Sequence, residues 1–186
     1  MTNVLALKQQ ASAFEALRAL DRMGRAHPLD LTVEEAGEAG WYGVGVRFAG
    51  RHFLVPMHEV AEVMPCPPLT PVPHTLDWVK GVANVRGMLI PIIDLEGFFE
   101  LGPVNMSHLT RILIMRSGEV VAGLLVDEVL GLRPCDRETW LAQVPGGLKP
   151  ELARCVSGVF RREDGDWPVF RPTRLAQNTR FMRVAA

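Results

Sequence analysis

Residues 80–95 read Lys80-Gly81-Val82-Ala83-Asn84-Val85-Arg86-Gly87-Met88-Leu89-Ile90-Pro91-Ile92-Ile93-Asp94-Leu95, an almost wholly apolar run broken at its centre by an arginine and a glycine. Two short apolar segments about a pair of turn-compatible residues are what a β-hairpin needs, because glycine supplies the positive φ of a tight turn at little steric cost. The pattern recurs three more times: YGVGVRF-AG-RHFLVP, RILIMR-SG-EVVAGLLV and VSGVFRRE-DG-DWPVF. The turn pairs are therefore Ala49-Gly50, Arg86-Gly87, Ser117-Gly118 and Asp164-Gly165. Asp-Gly is the strongest of these signals, and the recurrence strengthens the others. Four hairpins imply at least eight strands, and the Gly and Pro inside them, at Gly43, Gly45, Pro91, Gly123 and Gly158, suit bulged, bent strands closing into small β-barrels.

Outside this β region the pattern differs. From Val4 to about Arg25, Leu7, Phe14, Leu17, Leu20 and Met23 recur at mostly helical spacings, predicting an amphipathic helix that Pro28 ends. The acidic, glycine-containing connection LDLTVEEAGEAG then leads to a boundary near Gly40. Two later intervals read as short helices or long connections. These are PHTLDWVKG and DRETWLAQVPGGLKPELAR, the second opening on an N-cap candidate at Asp136 and carrying Trp140, Leu141, Val144 and Leu148 as cover for the core.

Composition excludes several functions. The 186 residues fit one domain or a pair of subdomains, with 48% hydrophobic content to build a core. Twenty basic against 21 acidic residues leave a net charge of -1, so there is no field for nucleic acid or an anionic membrane. No run approaches 18 apolar residues and no basic leader precedes one, which predicts a soluble, cytoplasmic protein without membrane insertion. Cys66, Cys135 and Cys155 are odd in number and far apart, as expected of core or bystander thiols and not of a disulfide framework or a zinc site.

Nothing marks a catalyst. Gly43 and Gly45 open a GxGxxG-like string whose third glycine position holds Phe48, and the string lies within a hairpin. There is no GxxxxGK[ST], GxSxG or HExxH, and the five histidines are scattered without cysteine partners. No catalytic residue, metal ligand or cofactor is assigned. On these grounds alone Arg86 is a solvated turn residue flanked by strands that bury Val82, Val85, Leu89, Ile90, Ile92 and Ile93.

Residues 59–99 carry a longer signature. Val60-Ala61-Glu62-Val63 followed by a proline-containing loop, and then Trp78-Val79-Lys80-Gly81-Val82-Ala83-Asn84-Val85-Arg86-Gly87 running through Pro91 to Asp94-Leu95, closely resemble the CheW family of chemotaxis adaptors. The resemblance continues more loosely through GEVVAGLLVDEVLGL and the closing SGVFRREDGDWPVFRPTRLAQ, so that it covers about Trp41 to Gln177. Val85 stands where a leucine is usual, and Glu96 where many members have arginine. The forty N-terminal residues and the insertion around Trp140 resemble the PilI-type branch, which serves type IV pilus twitching motility.

The resemblance implies an all-β fold of two SH3-like barrels around a shared hydrophobic core. It divides the chain into a helical extension over 1–40, a CheW-like domain over 41–177 and a tail over 178–186. It implies a non-catalytic adaptor that joins the cytoplasmic hairpin tip of a methyl-accepting chemoreceptor to the regulatory domain of a CheA-like histidine kinase, recruited to membrane-associated receptor arrays. The implied interface residues are Val60, Glu62, Val82, Asn84, Val85, Arg86, Gly87 and Met88, with Glu62 and Arg86 paired through a planar two-bond contact. Flagellar coupling is the alternative output. A kinase's own adaptor-like domain would follow an ATPase region, a CheV-like adaptor would need roughly 120 further residues, and a small enzyme on SH3-like barrels is the reading from another class.

Overall fold

Two of the four hairpins turn at the residues the sequence indicates. In the computed structural model, which describes residues 41–183, strands β1 (Trp41–Phe48) and β2 (Arg51–Pro56) pair Phe48 with Arg51, leaving Ala49 and Gly50 at φ 51° and 68°. Strands β4 (Val79–Val85) and β5 (Met88–Asp94) pair Val85 with Met88 around Arg86 and Gly87, at φ 51° and 85°. Two consecutive positive φ values match the right-handed twist of the strands they join. The helix expected over residues 4–25 and its connection lie outside the described residues.

The other two turns sit one residue away from the expected pairs. Between β6 (Arg111–Ser117) and β7 (Val120–Val126), Ser117 pairs with Val120, so the turn is Gly118-Glu119 and the positive φ, 58°, falls on its first residue. Between β10 (Val156–Arg162) and β11 (Gly165–Phe170), Arg162 pairs with Gly165. The turn is therefore Glu163-Asp164, and Gly165 takes a φ of 115° as the first residue of the next strand. A glycine takes the positive φ in both, but at a different place in the turn.

The chain is mostly β, in two sheets. Adding β3 (Val60–Pro65), β8 (Glu128–Cys135) and the two-residue β9 (Trp140–Leu141), a six-stranded sheet runs β8-β1-β2-β11-β10-β9 and a five-stranded sheet runs β3-β6-β7-β5-β4. The first sheet is thus built from both ends of the described chain, and the second from its middle. The chain passes between them twice, through the 3-10 turn Met57–Glu59 and through Asp127 alone.

Between the sheets lies a shared core. Val46, Phe48, Phe53, Val55 and Phe170 from the first sheet meet Ile93, Leu113, Met115, Leu124 and Val126 from the second. Burying side chains of this size contributes about 1.5–3 kcal/mol each before the entropy of ordering them is counted. Each sheet also has a cluster of its own. Leu54, Phe160 and Trp167 belong to one, and Val85, Ile90, Ile92, Ile112 and Leu125 to the other.

Short helices close the structure. They are α1 (Leu95–Phe98), α2 (Pro150–Arg154), α3 (Pro172–Ala176) and α4 (Thr179–Met182). The PHTLDWVKG interval forms turns and leads into β4 without a helix. The later interval meets its expectation in part: Asp136 accepts from the Glu138 N–H (3.0 Å) to cap the 3-10 turn Arg137–Thr139, and Leu148 packs on the shared core, but Val144 is exposed and covers nothing. Half-buried Trp140 then lies 5.0 Å from the Phe160 ring. Gly158 leaves the room for that ring, since a Cβ there would come within 2.2 Å of it. All three cysteines are free thiols, with Cys135 and Cys155 buried.

The first crossing is fixed by a buried carboxylate. Glu59, 3% exposed, forms an ion pair with Arg171 and accepts from the Thr173 N–H at 2.8 Å. This ties the passage from β2 to β3 to the entry of α3.

Candidate functional site

Arg86 occupies the left-handed region, where a non-glycine side chain is strained by roughly 1 kcal/mol. Asn84 supports the turn by accepting from the Gly87 N–H through Oδ1 (2.8 Å). The arginine then reaches across to β3, where its Nη2 donates to Glu62 Oε1 at 2.9 Å. The expected pair is present, but as one bond and not two. Its side chains are 76% and 31% exposed, so the guanidinium keeps most of its donors toward solvent. Because β3 and β4 are the two outer strands of the five-stranded sheet, the pair joins its edges.

Strand alternation divides the neighbouring residues between two faces. Val82 is opposite Pro91 and Asn84 opposite Leu89, and Leu89, Pro91 and Ile93 alternate onto one face, where Ile93 enters the shared core. Val60, opposite Met115, and Val120, two residues before Ala122, continue that face and pack against the rim of the core. Together they make a ledge: the face of the second sheet extended past the cover of the first. Leu89 is its most exposed member, at 71%.

The other candidates belong to the opposite face. Val85 is 6% exposed within the second sheet's own cluster, so its side chain is part of the core. Glu62, opposite Ile114, and Met88, opposite Val85, lie where that cluster reaches the surface. Arg86 and Gly87 stand at the turn between the faces. The structure thus brings all eight residues to one end of the second sheet and turns Val85 inward.

Leu89, Pro91 and Val120 were missed because an apolar strand gives no sign of which half of it is covered. Alternation puts Leu89 on the face opposite Ile90 and Ile92, but Ile93 on Leu89's own face is buried too, so only the extent of the first sheet leaves Leu89 uncovered. Gly81 determines the local course of β4. The register shifts there, φ is 134°, and a Cβ would lie 2.4 Å from the Thr70 carbonyl oxygen. That close approach lets Thr70 exchange two 2.9 Å hydrogen bonds with Val82, so the preceding loop pairs with the edge strand.

Below the turn, the fully buried Asp94 carboxylate has a complete set of partners. It accepts from the Gly97 N–H (3.0 Å), capping α1, and from the Val104 N–H (3.2 Å), and it pairs with Lys80 at 3.1 Å. These two charged residues of the opening stretch therefore act on the hairpin and not at its surface. Glu96 likewise turns toward the protein, accepting from the Ala49 N–H at 2.6 Å.

Among the described residues, no three His, Cys, Asp or Glu are grouped to hold a metal, and no helix is long and apolar enough to cross a membrane. Two open clefts, of about 770 and 820 Å³, flank α4 and share Glu100, Thr179 and Arg180. Neither contains a residue of the Arg86 turn.

Comparison with known proteins gives a consistent picture. The model of the CheW-like domain matches residues 42–180. Protein PilI of Pseudomonas aeruginosa is 41% identical over 174 residues, spanning 92% of this chain and 96% of that one. The probable chemotaxis protein CheW of Rhizobium etli is 33% identical over 121 residues, 64% of this chain and 78% of the relative. Among solved structures, the scaffolding protein TtCheW from Thermoanaerobacter tengcongensis superposes with a TM-score of 0.64 at 25% identity, covering 74% of this chain and 88% of that one.

Proposed function

The chain belongs to the CheW-like family of scaffold adaptors, and from that premise we propose that it couples the cytoplasmic hairpin tip of a methyl-accepting chemoreceptor to the regulatory domain of a CheA-like histidine kinase, without chemistry of its own. The output we assign is type IV pilus twitching motility, on the near-full-length likeness to Protein PilI. Flagellar coupling is the second reading, favoured by the likeness to a chemotaxis CheW. Residues 41–177 form the CheW-like domain on this reading, with 1–40 as an extension and 178–186 as a tail. Each sheet, curled on its own cluster, is taken as one SH3-like barrel.

The observation that carries the proposal is the ledge of Val60, Val82, Leu89, Pro91 and Val120 beside an arginine that is paired through one bond only. An amphipathic helix seated in a groove needs an apolar strip and a few polar groups to fix its rotation. The ledge supplies the strip, while Asn84 and the free donors of Arg86 supply the orientation. Glu62 keeps the guanidinium in place before a partner arrives, which lowers the entropy lost on binding. The kinase regulatory domain takes a different surface of the same unit, so both partners are held at once and the adaptor is recruited to the receptor array.

The test is reconstitution. The full chain is titrated with a receptor hairpin fragment and with the regulatory domain of the kinase, separately and together. A ternary complex is expected, and failure of the folded chain to bind either partner would overturn the proposal. Capturing the endogenous kinase decides the output: a pilus-system kinase supports the first reading, a flagellar kinase the second.

A further inference from the structure

We infer that Glu96, Asp127 and Arg47 form a pH-sensitive clamp at the second crossing between the sheets, tightened when one proton is shared between the two carboxyl groups. Asp127 is the sole residue between β7 of one sheet and β8 of the other. Its N–H donates to the Arg47 carbonyl (2.9 Å) and its Oδ2 receives Arg47 Nη1 (3.2 Å), fastening the crossing to β1. Glu96 approaches from α1, at the end of the second sheet. Its Oε1 accepts from the Ala49 N–H in the β1–β2 turn (2.6 Å), and its carboxyl lies within hydrogen-bonding reach of Asp127.

Two ionised carboxylates in contact repel, whereas an acid and a carboxylate share an O–H···O bond. Position decides which one holds the proton. Arg47 stabilises negative charge on Asp127, so the proton taken from solvent resides on Glu96 and its O–H donates to Asp127. Glu96 still accepts from Ala49, and thereby bridges the β1–β2 turn to the crossing residue. The surrounding charges act consistently. Glu128, from β8, accepts from Arg47 Nε and Nη2 (both 3.3 Å) and limits how far Arg47 neutralises Asp127. Asp94, the cap of α1, adds negative potential that Lys80 at 3.1 Å offsets.

Burial is the largest influence on Glu96 and raises its pKa above the ordinary 4.5; the Ala49 N–H opposes the rise, and Asp127 and Asp94 add to it. A raised acid favours the protonated fold. The clamp's contribution is complete below the unfolded-state pKa and is lost as pH climbs through the folded-state value.

Two measurements on the full chain test this. Side-chain carboxyl NMR should place the Glu96 midpoint above 4.5, and Asp127→Asn should lower it by at least about half a unit, a threefold change in proton affinity. A midpoint at or below 4.5, or one that Asp127→Asn leaves in place, overturns the clamp. Glu96→Gln keeps the acceptor for Ala49 and always presents a donor to Asp127. Its stability relative to wild type, read as a denaturant midpoint, should rise as pH climbs above the ordinary 4.5 and level off once the folded-state midpoint is passed. A difference that is flat or falls with pH overturns it equally, and this variant decides the question should Asp127→Asn fail to fold.

Discussion

Replacing Arg86 by alanine should separate folding from binding. The side chain is 76% exposed and holds Glu62 through a single 2.9 Å contact, the geometry of a surface pair that contributes about 0–1 kcal/mol to stability. Alanine also retains a Cβ at φ 51°, so the backbone strain of roughly 1 kcal/mol stays in place. The denaturant midpoint should therefore hardly move. A central interface arginine costs about 2 kcal/mol or more when truncated, so the receptor hairpin should bind about 30-fold more weakly while the kinase regulatory domain binds as before. Arg86→Gly serves as the control. It lacks the guanidinium and also relieves the strain, so it should bind as weakly as the alanine variant while being about 1 kcal/mol more stable. Glu62→Ala should weaken binding too, and the double variant should lose less than the sum of the two. Calorimetric titration alongside urea unfolding reads all four proteins. Wild-type affinity for the receptor hairpin in folded Arg86→Ala would refute the role given to the guanidinium, and a binding difference between the alanine and glycine variants would show that turn geometry is recognised instead.

Gly81→Ala places a Cβ 2.4 Å from the Thr70 oxygen at φ 134°, so it should cost about 1–3 kcal/mol and speed amide exchange at Thr70 and Val82; unchanged exchange would count against the close approach. Gly158→Ala should displace the Trp140 ring, seen as greater quenching of its fluorescence by a soluble quencher in a background where the other tryptophans are replaced by phenylalanine; equal quenching would mean the ring has another place to pack. Burial pushes Cys155 up to about 12 and Cys135 to about 11, only partly countered by Arg174 and Arg162, so native alkylation near pH 8 should label Cys66 first. The same two thiols stabilise the fold fully below their ordinary value of 9.0 and lose that contribution as pH rises beyond it; a flat alkaline stability profile would contradict their burial.

The hairpins were legible because turn chemistry is local. Ala49-Gly50 and Arg86-Gly87 fall where they were expected, while the Ser117-Gly118 and Asp164-Gly165 pairs are each displaced by one residue. A glycine announces a positive φ but not whether it opens the turn, as Gly118 does, or follows it, as Gly165 does. The Glu62–Arg86 pair was accessible through family resemblance, but its single-bond geometry depends on the reach between two edge strands. Glu59 with Arg171 was beyond local reasoning, since only the assembled fold brings β2's exit beside α3's entry. Leu89 and Val85 are both aliphatic and flank one turn, yet one is exposed and the other buried. Hydrophobicity alone does not distinguish them, whereas the register does.

The nesting of one sheet inside the other bears on how the protein is made. Strands β3 to β7 are contiguous and can pair as they leave the ribosome. The β1–β2 hairpin exists long before its neighbour, because Leu54 of β2 pairs in parallel with Val169 of β11 near the far end of the described chain. Contacts of such long sequence separation form late. Until then Leu54, whose cluster needs Phe160, Trp167 and Val169, has no lasting cover, and the half-made first sheet is the species most prone to stick to a chaperone or to another nascent chain. Pulse-labelled hydrogen exchange during refolding should accordingly protect β5, β6 and β7 before β2 and β11, and the reverse order would show that the outer sheet nucleates the fold.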